Sequence, residues 1–295
     1  MRTFDQIAAL RTYLRGIRDE NKTVGFVPTM GALHEGHLTL IRRAKGDCDT
    51  TVVSIFVNPT QFGPQEDLAA YPRDLVRDQR LCSNEDVDAL FSPAVEEMYP
   101  AGFQTRVTVG DLSQMLEGAQ RPGHFEGVAT VVTKLLNIVQ PDRAYFGQKD
   151  YQQLRVIERM VRDLNVPTTI VMVPTVRDTD GLALSSRNVY LSPEERMAAP
   201  VLYRVLESAA ERVKAGENDP DALRKALEEV IAAEPRATLD YVALVDPETL
   251  QPVRELQKAP TLVALAVRVG KTRLIDNALV SPEGIPIPRN RQSKG

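Results

Sequence analysis

Two of the chain's three histidines stand three residues apart in Pro28-Thr29-Met30-Gly31-Ala32-Leu33-His34-Glu35-Gly36-His37, and the third lies in Arg121-Pro122-Gly123-His124-Phe125-Glu126-Gly127. Imidazoles beside a predicted helix start put hydrogen-bond donors next to the positive end of a helix dipole, which suits an anion such as phosphate. The spacing H-E-G-H is one residue short of the zinc motif H-E-x-x-H, whose histidines share a helix face, so zinc is disfavoured. The bland alternative is that His34 and His37 cap the turn or sit on the surface. Taken alone, Arg121 and His124 read more readily as a solvated turn. Phe146-Gly147-Gln148-Lys149-Asp150-Tyr151-Gln152-Gln153 offers a lysine, a carboxylate and amides at a second strand-to-helix turn, where Lys149 and Asp150 by themselves would be an ordinary exposed pair. Leu184-Ser185-Ser186-Arg187-Asn188 sets two hydroxyls and a guanidinium in a loop, donors that suit phosphate oxygens, although an isolated S-S-R-N more often caps a helix or makes a turn. The chain has no G-x-G, and Gly270-Lys271-Thr272 has Leu265 where a P-loop needs its first glycine, so those three residues read as a hairpin turn.

Positioning these groups requires strands that end just before them. Val24 to Val27, closed by Pro28, and Val52 to Val57 read as buried strands, and Val87 to Phe91 as a weaker one interrupted by Asp88. Ala144 to Phe146 and Thr169 to Val173 add two more. Helical spacing lies between them: Phe4, Ile7, Leu10, Leu14 and Ile17 after Thr3 as N-cap, then Leu38, Ile41 and Ala44, then Val128 to Ile138, then Tyr151 to Leu164. Strand and helix alternate, which predicts an α/β fold: a Rossmann-like parallel sheet with helices on both faces, with ligands beyond the carboxyl ends of its strands. From Ser192-Pro193-Glu194-Glu195 the pattern changes to an Ala/Glu/Arg-rich stretch up to Gly216 and a helix over Asp219 to Ala233. Short strands then follow at Tyr241 to Val245, Thr261 to Val269 and Arg273 to Ile275. A smaller α+β C-terminal domain over 185–295 is therefore expected after a first domain over 1–184, with the polar, proline-rich tail disordered.

At 295 residues the chain is long enough for two domains with full cores, and 43% hydrophobic with 26% charged residues is ordinary for a soluble protein. No apolar run approaches the ~20 residues a membrane span needs, and the first twenty residues lack the apolar stretch of a secretion signal, so a cytoplasmic location is expected. Cys48 and Cys82 are too few for a disulfide scaffold. A net charge of −4, without a basic block, argues against nucleic acid and for a small-molecule partner.

In this order, PTMGALHEGH, FVNPTQFG, YPRD, RPGHFEGVATVVTKLLNIVQPDRAYFGQKDYQQL and DGLALSSRN closely resemble the pantothenate synthetase family, the pantoate-β-alanine ligases, within the wider H-x-G-H nucleotidyltransferase superfamily. The likeness runs from Val24 to Leu191 and departs where Leu184 stands in place of a frequent methionine. It implies that ATP and pantoate form pantoyl adenylate and diphosphate, and that β-alanine then displaces AMP to give pantothenate. By the family's pattern His34 and His37 contact phosphate oxygens, and Lys149, Ser185, Ser186 and Arg187 hold the triphosphate. Pro28, Met30, Gly147 and Asp150 line the nucleotide site. Gln61 and Gln153 bind pantoate, and Arg121 and His124 complete the substrate site. The resemblance also implies Mg²⁺, with Asp78 as the candidate ligand, a homodimer, and a lid over Gln61 to Arg73. A nucleotidyltransferase of the same superfamily and a non-catalytic nucleotide-binding module are the competing readings.

Overall fold

The computed structural model describes residues 1–64 and 66–283; most of the tail expected to be disordered lies outside them. By contacts the chain divides into two compact units, one of 1–147 with 152–173 and one of 148–151 with 174–295. This division falls at Val173/Pro174, ahead of the expected 184/185, and the turn Gln148–Tyr151 groups with the second unit.

The first unit holds a six-stranded sheet of β1 (Arg2–Phe4), β2 (Val24–Thr29), β3 (Thr50–Ile55), β4 (Ala89–Phe91), β5 (Arg143–Gly147) and β6 (Thr169–Val173), in the order β1-β4-β3-β2-β5-β6. Every pairing is parallel. Its helices are α1 (Ile7–Asp19), α2 (Glu35–Asp47), α3 (Leu75–Asn84), the short α4 (Val95–Met98) and α5 (Glu117–Gln120), then α6 (His124–Val139) and α7 (Tyr151–Asp163, of which the unit takes all but Tyr151). Because side chains alternate across a strand, the sheet feeds two separate cores. Phe26, Val52, Phe91, Ala144 and Phe146 face one way, onto Leu10, Leu14, Val132 and Leu154 of α1, α6 and α7. Val27, Val53, Leu90 and Tyr145 face the other way, onto Leu38, Ile41 and Cys82 of α2 and α3.

Strand β1 was not expected. Phe4 belongs to it rather than to the first helix, which starts at Ile7 behind Gln6 instead of after Thr3. Three residues at a sheet edge carry too short a pattern to read against the strong helical period that follows. The polar break in the weak third run also has a cause, since the Asp88 carboxylate accepts from the Thr51 amide at 2.8 Å.

The order of strands reverses about β2: the chain proceeds to β3 and β4 on one side and then crosses to β5 and β6 on the other. That places the switch point of the sheet, where a crevice opens, at the carboxyl ends of β2 and β5.

The second unit contains α8 (Pro193–Ala198), α9 (Val201–Lys214), α10 (Pro220–Ala232) and an antiparallel sheet of β7 (Ala237–Val245), β8 (Thr261–Val269) and β9 (Thr272–Val280) in sequential order. The Ala/Glu/Arg-rich stretch is two helices because Pro200, lacking an N–H, interrupts it. Gly270 at φ 57 makes the expected hairpin turn between β8 and β9. Strands β7 and β9 outrun their expected 241–245 and 273–275; in β9 the polar pair Asp276-Asn277 breaks the apolar run from which its length is read. Leu202, Leu206, Leu227, Leu265 and Leu274 pack into this unit's own core.

Candidate active site

The turn after β2 is strained and held from three directions. Gly31 and Ala32 take positive φ values of 81 and 50, a conformation that costs on the order of 1 kcal/mol at a non-glycine residue. Thr29 Oγ1 accepts from the Gly31 amide at 3.2 Å and donates to the Ser54 carbonyl at 2.8 Å. Asp78 of α3, only 1% exposed, accepts from the Ala32 amide at 2.8 Å and from the Leu33 amide at 2.9 Å. Its neighbour Arg77 donates to the Leu33 carbonyl at 2.9 Å.

The turn delivers His34 to the N-cap of α2. His34 Nδ1 accepts from the Gly36 amide at 3.2 Å, and His37 Nδ1 accepts from the His34 amide at 3.3 Å. The two rings lie 4.1 Å apart. This is a capping box built from imidazoles. It has a chemical consequence: when Nδ1 accepts, the neutral ring carries its proton on Nε2, so both histidines become donors at that atom. Capping and anion binding, posed as alternatives from sequence, are therefore compatible.

Gln61 lies in the 3-10 turn Pro59–Gln61, itself capped by Asn58. The Gln61 amide is oriented at both ends, accepting from Asn58 Nδ2 at 3.0 Å and donating to Met30 Sδ at 3.3 Å. Asn58 also donates to the Gly127 carbonyl at 3.1 Å and accepts from Tyr99 Oη at 2.9 Å. Gly127 allows the turn to sit against α6, because a Cβ there would lie 2.5 Å from the Thr60 carbonyl oxygen. Sequence reasoning missed Asn58 and Tyr99; the Asn-Pro pair ahead of Gln61 was the available signal.

Arg121 and His124, expected to complete the substrate site, are committed to protein partners. Arg121 donates to both Glu66 oxygens, at 2.8 and 2.6 Å, and to His124 Nε2 at 3.1 Å. Because Nε2 accepts, Nδ1 carries the proton and donates to the Gln61 carbonyl at 2.9 Å. Burial, then the neighbouring Arg121 charge, pushes the His124 imidazole down to about 4. Burial would raise the Glu66 carboxyl, but Arg121 holds it below the usual range. The pair thus ties the Gln61 to Arg73 loop to the start of α6.

Asp78 also differs from expectation. Both its oxygens bond backbone amides of the β2–α2 turn, and the described residues contain no group of three or more His, Cys, Asp or Glu able to hold a metal ion. These residues do not fit a protein-built metal centre.

The first unit thus gathers Pro28, Met30, His34, His37 and Gln61 around the carboxyl end of β2, with Gly147 ending the adjacent strand β5 and Gln153 half-buried in the first turn of α7. In the second unit the turn Gln148–Tyr151 carries Lys149, paired with Asp150 at 3.8 Å. Ser185 caps the 3-10 turn Ser186–Tyr190 by accepting from the Arg187 amide at 3.3 Å. Hydroxyls, cations and N–H donors of this kind suit phosphate oxygens.

The description pantoate-beta-alanine ligase belongs to the family model that matches residues 2–279. The chain belongs to this family. It is 57% identical over 280 residues to the pantothenate synthetase of Moorella thermoacetica, covering 95% of this chain and 99% of that one. It is likewise 57% identical over 283 residues to the pantothenate synthetase of Agrobacterium fabrum, covering 96% and 97%. Among solved structures, the pantothenate synthetase of Thermus thermophilus superposes with a TM-score of 0.91 at 54% identity, over 96% of this chain and all of that one. The pantoate-beta-alanine ligase of Francisella tularensis, complexed with beta-gamma ATP and beta-alanine, gives 0.79 at 37% identity over 95% and 97%. The described pantoate-beta-alanine ligase fold, a parallel sheet followed by a small antiparallel one, is that of these relatives.

Proposed function

We propose that this chain condenses pantoate with β-alanine at the expense of ATP, passing through pantoyl adenylate and releasing AMP and diphosphate. The observation that carries this reading is the paired imidazole cap at the sheet's switch point in a chain that matches the ligase family almost end to end. In the first step the pantoate carboxylate attacks the α-phosphorus in line, and no covalent enzyme nucleophile is needed. The protein's work is alignment and stabilisation of charge on the phosphate oxygens. His34 and His37 donate from Nε2 beside the positive end of α2, while Lys149, Ser185, Ser186 and Arg187 hold the triphosphate. Pro28, Met30, Gly147 and Asp150 line the nucleotide site.

Gln61 and Gln153 bind the pantoate hydroxyls and carboxylate. With one amide hydrogen of Gln61 given to Met30 and one lone pair to Asn58, one donor and one acceptor remain to read a hydroxyl. Arg121 and His124 act on substrate through Gln61 and the loop they anchor. Mg²⁺ enters with ATP as part of the substrate, held by phosphate oxygens. We read the protein as cytoplasmic and homodimeric on its family resemblance; no helix among the described residues is long and apolar enough to cross a membrane.

Exchange of labelled diphosphate into ATP, with Mg²⁺ and without β-alanine, tests the reading. Exchange that depends on pantoate is expected. Its absence from a folded protein that binds ATP would point to the nucleotidyltransferase or the binding module.

A further inference from the structure

The buried polar pair on β9 has no part in the reaction as described so far. Asp276 is 1% exposed at its side chain and receives both terminal nitrogens of Arg177, at 2.6 and 2.9 Å. Arg177 also donates to the Gly181 carbonyl at 3.1 Å and stacks over the Tyr203 ring at 4.9 Å. Gly181, at φ 91, is pinned there, since a Cβ would fall 1.9 Å from Tyr203 Cδ1. The next residue, Asn277, is 4% exposed and uses both hydrogens of its side-chain amide, donating to the Gln148 carbonyl at 3.1 Å and the Lys149 carbonyl at 2.8 Å. Two acceptors on one side leave only one orientation for that amide, with Nδ2 toward the turn. Strand β9 is the edge of its sheet, and here the Asn277 amide is satisfied by a side chain, donating to Asp276 Oδ1 at 2.8 Å.

We infer that Asp276-Asn277 is a positioning pair for catalysis. Asn277 sets the backbone of the turn that carries Lys149, and Asp276, through Arg177 and Gly181, fixes the start of the loop that carries Ser185, Ser186 and Arg187. Two adjacent residues of one strand thereby hold both phosphate-handling segments of this unit. Neither touches substrate; they act through the residues they hold. The inference rests on the reading that Lys149 and the Ser185–Arg187 segment bind ATP phosphates.

The test is diphosphate exchange by the full chain, measured for the parent, Asn277→Ala, Lys149→Ala and the double variant, with KM determined for ATP and for pantoate separately. Pantoate-dependent exchange by the parent tests the ligase reading, and a raised KM for ATP in Lys149→Ala tests the placement of the phosphates, each without reference to Asn277. Losing two directed hydrogen bonds at the turn should slow Asn277→Ala by roughly tenfold or more and raise KM for ATP, with KM for pantoate kept within about twofold. In the Lys149→Ala background the same substitution should have little further effect, because groups that act as one unit are not additive. Parent-like exchange by Asn277→Ala, or an equal loss in both backgrounds, would overturn the inference while leaving the ligase reading in place. If Asn277→Ala does not fold, Asn277→Asp keeps the shape and replaces the two donors by an acceptor facing two carbonyls. It should show the same selective rise in KM for ATP, and a parent-like KM for ATP would overturn the inference.

Discussion

The imidazoles of this chain are set to different tasks by what their ring nitrogens face. His34 and His37 accept at Nδ1 and present Nε2–H, whereas His124 donates from Nδ1 into the Gln61 carbonyl and accepts at Nε2. Replacing His37 or Lys149 by Ala is expected to slow adenylate formation by about a hundredfold or more, near 3 kcal/mol, with urea unfolding unchanged for Lys149→Ala. Single-turnover release of diphosphate would measure it. His124 predicts a different effect. Its depressed pKa of about 4 means that the unfolded chain, with a histidine near 6.5, takes up the proton first. Its contribution is therefore full above about pH 7 and falls as pH drops from about 6.5 toward 4, by up to about 1.4 kcal/mol per pH unit. Urea midpoints across that window should fall more steeply for the parent than for His124→Gln, which has no proton to gain. The histidines were legible as site candidates because their types are rare and their place is unusual. The roles of Arg121 and His124 were not, because their partner Glu66 lies more than fifty residues away and no local pattern encodes that pairing.

Among the elements, α3 does work that its sequence concealed. Asp78 is the candidate ligand named for the implied Mg²⁺; the structure makes it the clasp of the β2–α2 turn. Asp78→Ala takes the acceptor away from the buried Leu33 amide, at about 1–3 kcal/mol, and removes a second hydrogen bond from the half-buried Ala32 amide. Chemical denaturation should show that loss, and the dependence of exchange on Mg²⁺ concentration should keep its shape in whatever activity remains. A protein metal ligand would give the reverse result. Gly31 answers to the same clasp, since its Cβ would lie 2.9 Å from Asp78 Oδ2. Strands and most longer helices of the first unit were readable, because β2, β3 and β5 each hold a buried apolar stretch and the amphipathic helices keep a clear period. What escaped was short, polar or interrupted: β1, with three residues, α3, whose buried face carries Asp78, the first half of β7, and the full length of β9, whose polar centre broke the apolar pattern.

At the scale of the whole molecule, the hydrophobic cores are partitioned. Two flank the parallel sheet and draw on residues from Phe4 to Val173; the third is built from Leu182 to Val280. Separate cores give each unit its own reason to fold. Scanning calorimetry should therefore show a calorimetric enthalpy larger than the van't Hoff enthalpy of the main transition, and a ratio of one would mean that the units melt as a single body. Sequence composition already pointed to two domains. The exact division was not visible, because Gln148–Tyr151 leaves the first unit and returns within four residues, a detour with no compositional mark.

The hydrogen bond from Asn277 to the Lys149 carbonyl spans 128 residues. During synthesis at roughly 5–20 residues per second, the lysine's turn waits on the order of 6–25 s for the residue that holds it. By then every strand of the parallel sheet has been made. A nascent chain thus has every residue of its first unit well before it can hold this lysine's turn in place, and on the role proposed for Lys149, competence for chemistry arrives with the last strand rather than with the first fold.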